Sequence, residues 1–257
     1  VPRTPPSKKP PRPAPDSEAA FLATYDAKVF ERPSVAVDVV VLTASGGALR
    51  VALYLRNEHP SKGRYALPGG FVRMDESLDD AAARVLRDKA GLREVFIEQL
   101  YTFGAPGRDP RWRIITVAYY ALVDPRRFDE IRVEQGARAA TVRVPWSGDE
   151  GGPVTIEGDD GRPLPMAFDH SEIIGMAVKR LRGKLDYTPV GFQLLPAQFT
   201  LRALQDVHET VRGGPVNKDS FRRRMLAGGL LVPTGELEKD VEHRPAELYR
   251  FARGSAV

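Results

Sequence analysis

Between Gly70 and Leu92 the chain carries residues of the types and spacing that handle phosphate and metal. Gly70 is followed at fixed intervals by Glu76, Arg84, Val85, Leu86, Asp88, Lys89, Gly91 and Leu92. A helix face that gathers several carboxylates holds Mg²⁺, which takes hard oxygen ligands in octahedral geometry, and such ions activate water for attack on phosphate. The run from Ser77 to Ala90 is predicted to be that helix, with Ser77 as N-cap, Asp79 and Asp80 in the first turn and Gly91 as the stop. Side chains three and four apart share a helix face, so Val85, Asp88 and Lys89 would form one stripe on which such an ion could be sought. That stripe offers one carboxylate. The Lys89 ammonium would put positive charge where an ion would otherwise sit, and no metal is expected.

These residues resemble the Nudix box, Gly-x5-Glu-x7-Arg-Glu-U-x-Glu-Glu-x-Gly-U with U aliphatic. Gly70, Glu76, Arg84, Leu86, Gly91 and Leu92 match it; Val85 and Lys89 depart from it, and Asp88 is one methylene shorter than the Glu of the pattern. The preceding Arg64 to Val72, with Gly69 and Gly70 at its end, looks like the strand and double-glycine loop that enter such a box. The resemblance implies an α/β fold, an α/β/α sandwich with a mixed sheet, in which the missing carboxylates leave hydrolysis slow or nil. Arg84 has two readings, a ligand-facing cation or a partner that holds Glu76 and the box loop.

A second chemistry-bearing run lies near the other end of the chain. Helix, turn, helix and two strands are predicted within about 60 residues, a winged helix-turn-helix. Phe199, Leu201, Leu204, Val207, His208 and Val211 mark the first helix, closed by Gly213 and Gly214. The second starts at Asn217 as N-cap and runs to Leu226. On it, Phe221 and Met225 face inward, Ser220, Arg223 and Arg224 point away, and Lys218 and Arg222 flank them. Arginine forks suit guanine edges in a major groove, and Lys or Arg suits phosphates. A wing from Leu230 to Phe251 adds Lys239, His243 and Arg244. Charge agrees: residues 175–257 hold 14 Lys or Arg against 9 Asp or Glu, whereas 19–174 are slightly acidic, so one part of the chain is suited to meet a polyanion.

The elements that would position these groups can be read from periodicity. Val35 to Leu42 and Leu49 to Leu55 form a hairpin around Gly46 and Gly47. Strands are expected at 64–67, 94–103, 113–123, 141–146 and 154–156, and a helix from Asp169 to about Leu185. Trp112 and Tyr119 are expected in the core. Seven of the 22 prolines fall in residues 1–17, so a polyproline-like or disordered basic tail is expected there. The division expected is tail 1–18, effector-binding domain 19–183, linker 184–196 and DNA-binding domain 197–257. With no cysteine, disulfides and thiolate metal sites are excluded. No apolar run has the length of a membrane span and no signal peptide is visible, so a cytoplasmic protein is expected.

An eroded box followed by a winged helix resembles the Nudix-related transcriptional regulators of NAD metabolism, the NrtR family, over roughly residues 31–252. Ala66 to Val72, Tyr101 to Arg111, Ala167 to Ile174, Phe199 to Glu209, Lys218 to Leu226 and Arg244 to Phe251 carry the likeness. It implies a homodimeric repressor that holds a palindromic double-stranded operator and lets it go on binding ADP-ribose or a related nucleotide. A diphosphate between two riboses needs cationic forks and an aromatic face. Arg56, Arg84, Arg108 and Arg111 are candidates for the first, Tyr101 and Phe103 for the second, with Gly69, Gly70, Glu76, Asp109 and His170 around them. The N-terminus of the helix at His170 would attract an anion, or His170 serves the capping turn. Two other readings stand: a weak Mg-dependent hydrolase using Asp88 and Glu76, and a DNA-binding protein whose Nudix fold only dimerises.

Overall fold

The computed structural model describes residues 17–131, 137–185, 187–239, 241–242 and 244–252. The chain divides into two compact units, Val1–Arg32 and Pro33–Val257. In the first, α1 (Glu18–Thr24) begins where the Ser17 hydroxyl accepts from the Ala20 N–H, and Phe21, Leu22, Tyr25, Val29 and Phe30 are exposed. The predicted basic tail lies almost wholly outside the described residues.

The second unit is built on an eight-stranded sheet, with its main path in the order β5-β6-β1-β2-β7-β8. Its central strand β1 (Ser34–Ser45) is parallel to β6 (Ile114–Leu122), from Ser34 opposite Ile114 to Leu42 opposite Leu122. On its other edge β1 pairs antiparallel with β2 (Ala48–Leu55) through the turn at Gly46 and Gly47, where positive φ makes glycine the fitting residue. Farther along the same edge it pairs with β4 (Gly69–Phe71), after β3 (Tyr65–Ala66) has paired with β2. The expected double-glycine loop is thus itself a short strand. The remaining strands are β5 (Phe96–Phe103), β7 (Ala137–Arg143) and β8 (Thr155–Glu157).

Successive strand residues face opposite sides, and β1 is buried on both. Val37, Val39 and Val41 meet Ala81, Ala82, Val85 and Leu86 of α2 (Leu78–Val85) and the turn that follows it. Val40, Leu42 and Ala44 meet Ile173, Ile174, Ala177, Val178 and Leu181 of α4 (His170–Lys184). The result is the expected α/β/α sandwich with a mixed sheet. A short α3 (Pro125–Asp129), capped by Asp124, was not foreseen.

Beyond a 3-10 helix at Pro189–Leu194 come α5 (Leu201–Arg212), α6 (Lys218–Ala227) and the hairpin of β9 (Leu231–Leu237) with β10 (Glu247–Phe251). Phe192, Phe199, Leu204, Phe221 and Tyr249 form their core. This is a winged helix-turn-helix. Phe199 is not part of the first helix, as its apolar spacing suggested; its backbone exchanges hydrogen bonds of 2.9 and 2.8 Å with Tyr249, which ties the helices to the wing. Val207 and Val211 leave this core and join the sheet core instead.

Trp112 contradicts its expected burial: it precedes β6, and 63% of its surface is exposed, whereas Tyr119, within the strand, is 2% exposed and donates to Asp79 at 2.6 Å. Alternation placed both on one strand; the strand begins two residues later.

Candidate functional site

The box helix starts as its sequence dictates, the Ser77 hydroxyl accepting from the Asp80 N–H at 3.1 Å. From Leu86 to Ala90 it widens into a π turn and closes at Gly91 with φ +67. The change of pitch, together with the demand of the core, breaks the stripe expected from ideal helical spacing. Val85 is 1% exposed and packs against the sheet. Asp88 turns outward and pairs with Arg87 at 2.9 Å. Lys89 accepts a hydrogen bond from the Tyr54 hydroxyl through its carbonyl. Protein atoms around its ammonium push its pKa below the usual lysine range; Asp38 acts against this, and Arg56 and Arg84 add to it.

Glu76 and Arg84 form a two-pronged pair, Arg84 Nε to Glu76 Oε2 at 2.8 Å and Arg84 Nη2 to Oε1 at 2.6 Å. The Arg73 N–H donates to the same carboxylate at 2.8 Å, and Arg84 also donates to the Phe71 carbonyl at 3.0 Å. Arg84 is therefore the strap of the box loop. Its hydrogen bond is the main reason that the Glu76 pKa falls to about 2. A divalent ion needs several carboxylate oxygens at one point. Here one candidate acid is engaged by the Arg84 guanidinium and the Arg73 N–H, another by Arg87, and an apolar side chain occupies the third position. Among the described residues no group of three or more His, Cys, Asp or Glu could hold a metal. The residues present do not fit the ion that the box pattern implies.

On the other side of the glycine strand lies a buried charge cluster. Gly69 sits directly over Asp38, its register partner, and a Cβ there would run into the Asp38 carboxylate and the Val37 carbonyl. Asp38 faces His170 Nε2 at 3.9 Å and Arg108 Nη2 at 3.8 Å. His170 is buried and its Nδ1 accepts from the Leu67 N–H at 2.9 Å. Burial lowers its pKa, outweighing the opposite pull of Asp38 and Asp169; a neutral ring with Nδ1 as acceptor results. His170 thus pins the strand that leads into Gly69 and Gly70. Arg108 forks to Asp169, Nε to Oδ2 at 2.8 Å and Nη2 to Oδ1 at 2.6 Å, with 5% of its side chain exposed. Burial opposes its charge, yet Asp169, Asp38 and Asp109 hold its pKa raised. Arg108, expected as a phosphate fork, directs both prongs of its fork to Asp169. Arg111 is likewise bound to Asp109, at 3.0 and 2.7 Å, but it remains half-exposed.

Phe168 joins these groups. At φ +51, it is a bulky residue in left-handed backbone, an arrangement that concentrates at functional sites. The guanidinium carbons of Arg56 and Arg111 lie 4.9 and 5.9 Å from its ring centre, and Arg111 also lies 5.5 Å from Phe71. Two guanidinium groups and two aromatic rings thus line one face, cationic for phosphate and flat for a base. The unusual φ had no sequence signal, since neither Gly nor Asn stands there. Tyr101, 55% exposed, lies edge-on to Phe103 at 5.4 Å, whereas Phe103 packs on the sheet core and so offers less of a face than expected.

In the winged helix, the Asn217 side chain caps α6 by accepting from the Ser220 N–H at 3.0 Å. Phe221 is buried; Lys218, Ser220, Arg222, Arg223 and Arg224 are exposed. Phe221 and Met225 thus anchor the helix, and its basic residues surround the outward face. Lys239 and Arg244 are exposed on the wing, and His243 lies outside the described residues.

Residues 32–146 match the NUDIX domain and residues 191–251 match the NrtR DNA-binding winged helix domain. Over 238 residues, 92% of this chain and 89% of the relative, the sequence is 35% identical to the "ADPR responsive transcriptional repressor NtrR" of Acinetobacter baylyi. The structure resembles that of Shewanella oneidensis NrtR complexed with a 27mer DNA, with a TM-score of 0.69 and 33% identity over 85% of this chain and 93% of that one. An ADP-ribose pyrophosphatase of Methanocaldococcus jannaschii is 32% identical over 148 residues, 57% of this chain and 74% of that protein.

Proposed function

The chain belongs to the NrtR family of Nudix-related transcriptional regulators, and on that premise we propose that it is a repressor of NAD biosynthesis or salvage genes. It acts in the cytoplasm as a homodimer on a palindromic operator, and ADP-ribose or a related nucleotide releases it. The observation that carries this reading is α6, a second helix of a winged helix-turn-helix with Lys218, Arg222, Arg223 and Arg224 turned to solvent around a buried Phe221. Helix N-terminal residues of that kind read base edges and phosphates in a major groove. Among the described residues no helix is long and apolar enough to cross a membrane.

The effector face is Arg56, Arg111, Phe168 and Phe71, with Tyr101 near the loop after β5; Glu76, Arg84, Asp109, Arg108 and His170 build the frame behind it, and Gly69 and Gly70 let backbone approach the ligand. The A. baylyi relative is described as responsive to ADPR, which supports ADP-ribose as the ligand. The site's carboxylates are engaged by arginines, so hydrolysis is slow or nil, despite the likeness to a pyrophosphatase. A ligand shifts DNA binding only by the difference in its affinity for the two states, so ADP-ribose must bind the operator-free geometry more tightly.

Selection of duplexes from a random pool by this protein, with and without ADP-ribose, tests the reading. The expected result is a two-fold symmetric sequence with half-sites about one DNA turn, or a multiple, apart, recovered only without ADP-ribose. Recovery of no preferred sequence, or an equal yield with the nucleotide, would contradict it.

A further inference from the structure

Helix α4 runs from the arginine and aromatic cluster at Phe168 to the last turn of α5. Its first turn carries His170 and follows Phe168 and Asp169, the residues that face Arg56, Arg111 and Arg108. Its last turn carries Arg182. Between them the segment 146–154 tracks one side of the helix. The Val154 N–H donates to the Ser171 carbonyl at 3.4 Å; Gly175 lets the Gly152 carbonyl approach so closely that a Cβ would collide with it; and Lys179 Nζ donates to the Glu150 carbonyl at 3.0 Å. Residues 171, 175, 179 and 182 recur at the spacing of one helix face, so helix and segment form a single rod.

Arg182 is the group by which this rod holds the winged helix. Its Nε donates to the Val211 carbonyl at 2.8 Å, and its Nη1 donates to the Gly148 and Trp146 carbonyls at 2.8 and 3.3 Å. The guanidinium stacks 4.8 Å from the Trp146 ring. Val211 lies in the last turn of α5, where carbonyls lack helical partners and the helix end carries partial negative charge. Arg182 meets both needs. An open cleft of about 510 Å³ lies beside this contact, lined by Arg182, Trp146, Gly148, Gly47 and Gly213. Of the buried α5 residues, Val207 and Val211 enter the sheet core. Apolar packing fixes where the end of α5 sits on the sheet, and the three-way contact of Arg182 is the polar link that ties it to α4 and to the 146–148 segment.

We infer that Arg182 is a positioning residue for DNA binding, fixing the winged helix on α4 so that a ligand at Phe168 and Arg111 alters how α6 is presented. The inference rests on the function proposed above and names the route of its regulation. Ligand contact at the strained Phe168 shifts the first turn of α4, the rod carries the shift, and Arg182 transmits it to the end of α5.

The test compares the wild-type protein with Arg182→Met and with Arg180→Met, which loses a neighbouring bond from α4 to the Leu100 carbonyl and serves as control. Three quantities are measured for each: ADP-ribose affinity without DNA, melting temperature, and the ratio of dissociation constants for a selected operator with and without saturating ADP-ribose. The ratio expected for the wild type and for Arg180→Met lies in the range of about 5 to 150 usual for coupled sites, and for Arg182→Met it falls below about 2 while ADP-ribose affinity stays within about threefold. A purely structural role would lower the melting temperature and leave the ratio unchanged. Should Arg182→Met not fold, Arg182→Lys keeps the charge without the fork and is expected to lower the ratio as well. A wild-type ratio of one defeats the proposed function and this inference with it. A wild-type ratio well above one that Arg182→Met or Arg182→Lys preserves defeats the inference alone.

Discussion

Replacing Arg108 with Met separates a structural arginine from a ligand-binding one. The side chain is 5% exposed, forks to Asp169 at 2.8 and 2.6 Å, and stands 3.8 Å from Asp38, itself largely buried. Methionine fills much of the space and removes the charge, which leaves the half-buried Asp169 and the buried Asp38 without their cation. Breaking a buried pair from one side costs about 3 to 5 kcal/mol, and the low exposure calls for little screening discount. For a domain of this size each kcal/mol moves the melting temperature by about 2 to 4 °C, so a fall of about 6 to 20 °C is expected. Urea unfolding followed by tryptophan fluorescence measures the free-energy loss, and thermal melts measure the fall in temperature. The double variant Arg108→Met with Asp169→Leu is expected to recover most of the loss, since an apolar pair of similar volume often matches a buried ion pair. A loss below about 1 kcal/mol, accompanied by collapse of ADP-ribose affinity, would refute the reasoning and restore Arg108 as a phosphate fork.

Three further outcomes follow from the same geometry. The Glu76 pKa is held down to about 2 by Arg84, so its contribution to stability is complete above the ordinary value of 4.5 and is lost as pH falls toward 2; Glu76→Gln is expected to flatten that part of the acid-unfolding curve, read by circular dichroism. Burial lowers the His170 pKa, so the unfolded chain takes up a proton below the ordinary value of 6.5 before the folded one does, and stability declines as pH drops from there; His170→Gln should remove this decline in thermal melts taken between pH 7 and pH 5. On α6, Arg223→Ala is expected to weaken a selected operator by about 1 to 3 kcal/mol and to relax preference at one base pair, while Lys218→Ala weakens all duplexes alike and reduces the salt slope by about 1, both measured by fluorescence anisotropy.

Much of this architecture was legible because it is local. Ser77 and Asn217 declared their helices as caps, Gly91 its stop, and the apolar run of β1 with the period-two pattern of β2 their shared hairpin, each depending on neighbours within a few residues. The pairing of Glu76 with Arg84 was open in the sequence and is direct in the structure. What escaped was non-local. Arg108 is claimed by Asp169, 61 residues away, and a sequence shows only that an arginine is available, not that its fork is filled. Val85 was placed on a polar stripe by ideal pitch, but its methyls are drawn to the core, and the π turn after it rotates Asp88 outward. Phe168 gave no warning, because its left-handed backbone is imposed by the surroundings rather than by its residue type. The attachment of α5 to the sheet through Val207, Val211 and Arg182 likewise depends on a tertiary arrangement that helical periodicity cannot express.

A pocket that recognises its nucleotide without a metal and without cleaving it, and so releases DNA, has a direct signature. One titration addresses it directly: the protein bound to a fluorescent operator is titrated with ADP-ribose, once in EDTA and once in Mg²⁺, with AMP assayed in the same samples. Equal release in both, without AMP, is expected. Release that requires Mg²⁺ and is accompanied by AMP, or an operator complex that survives saturating ADP-ribose, would contradict it.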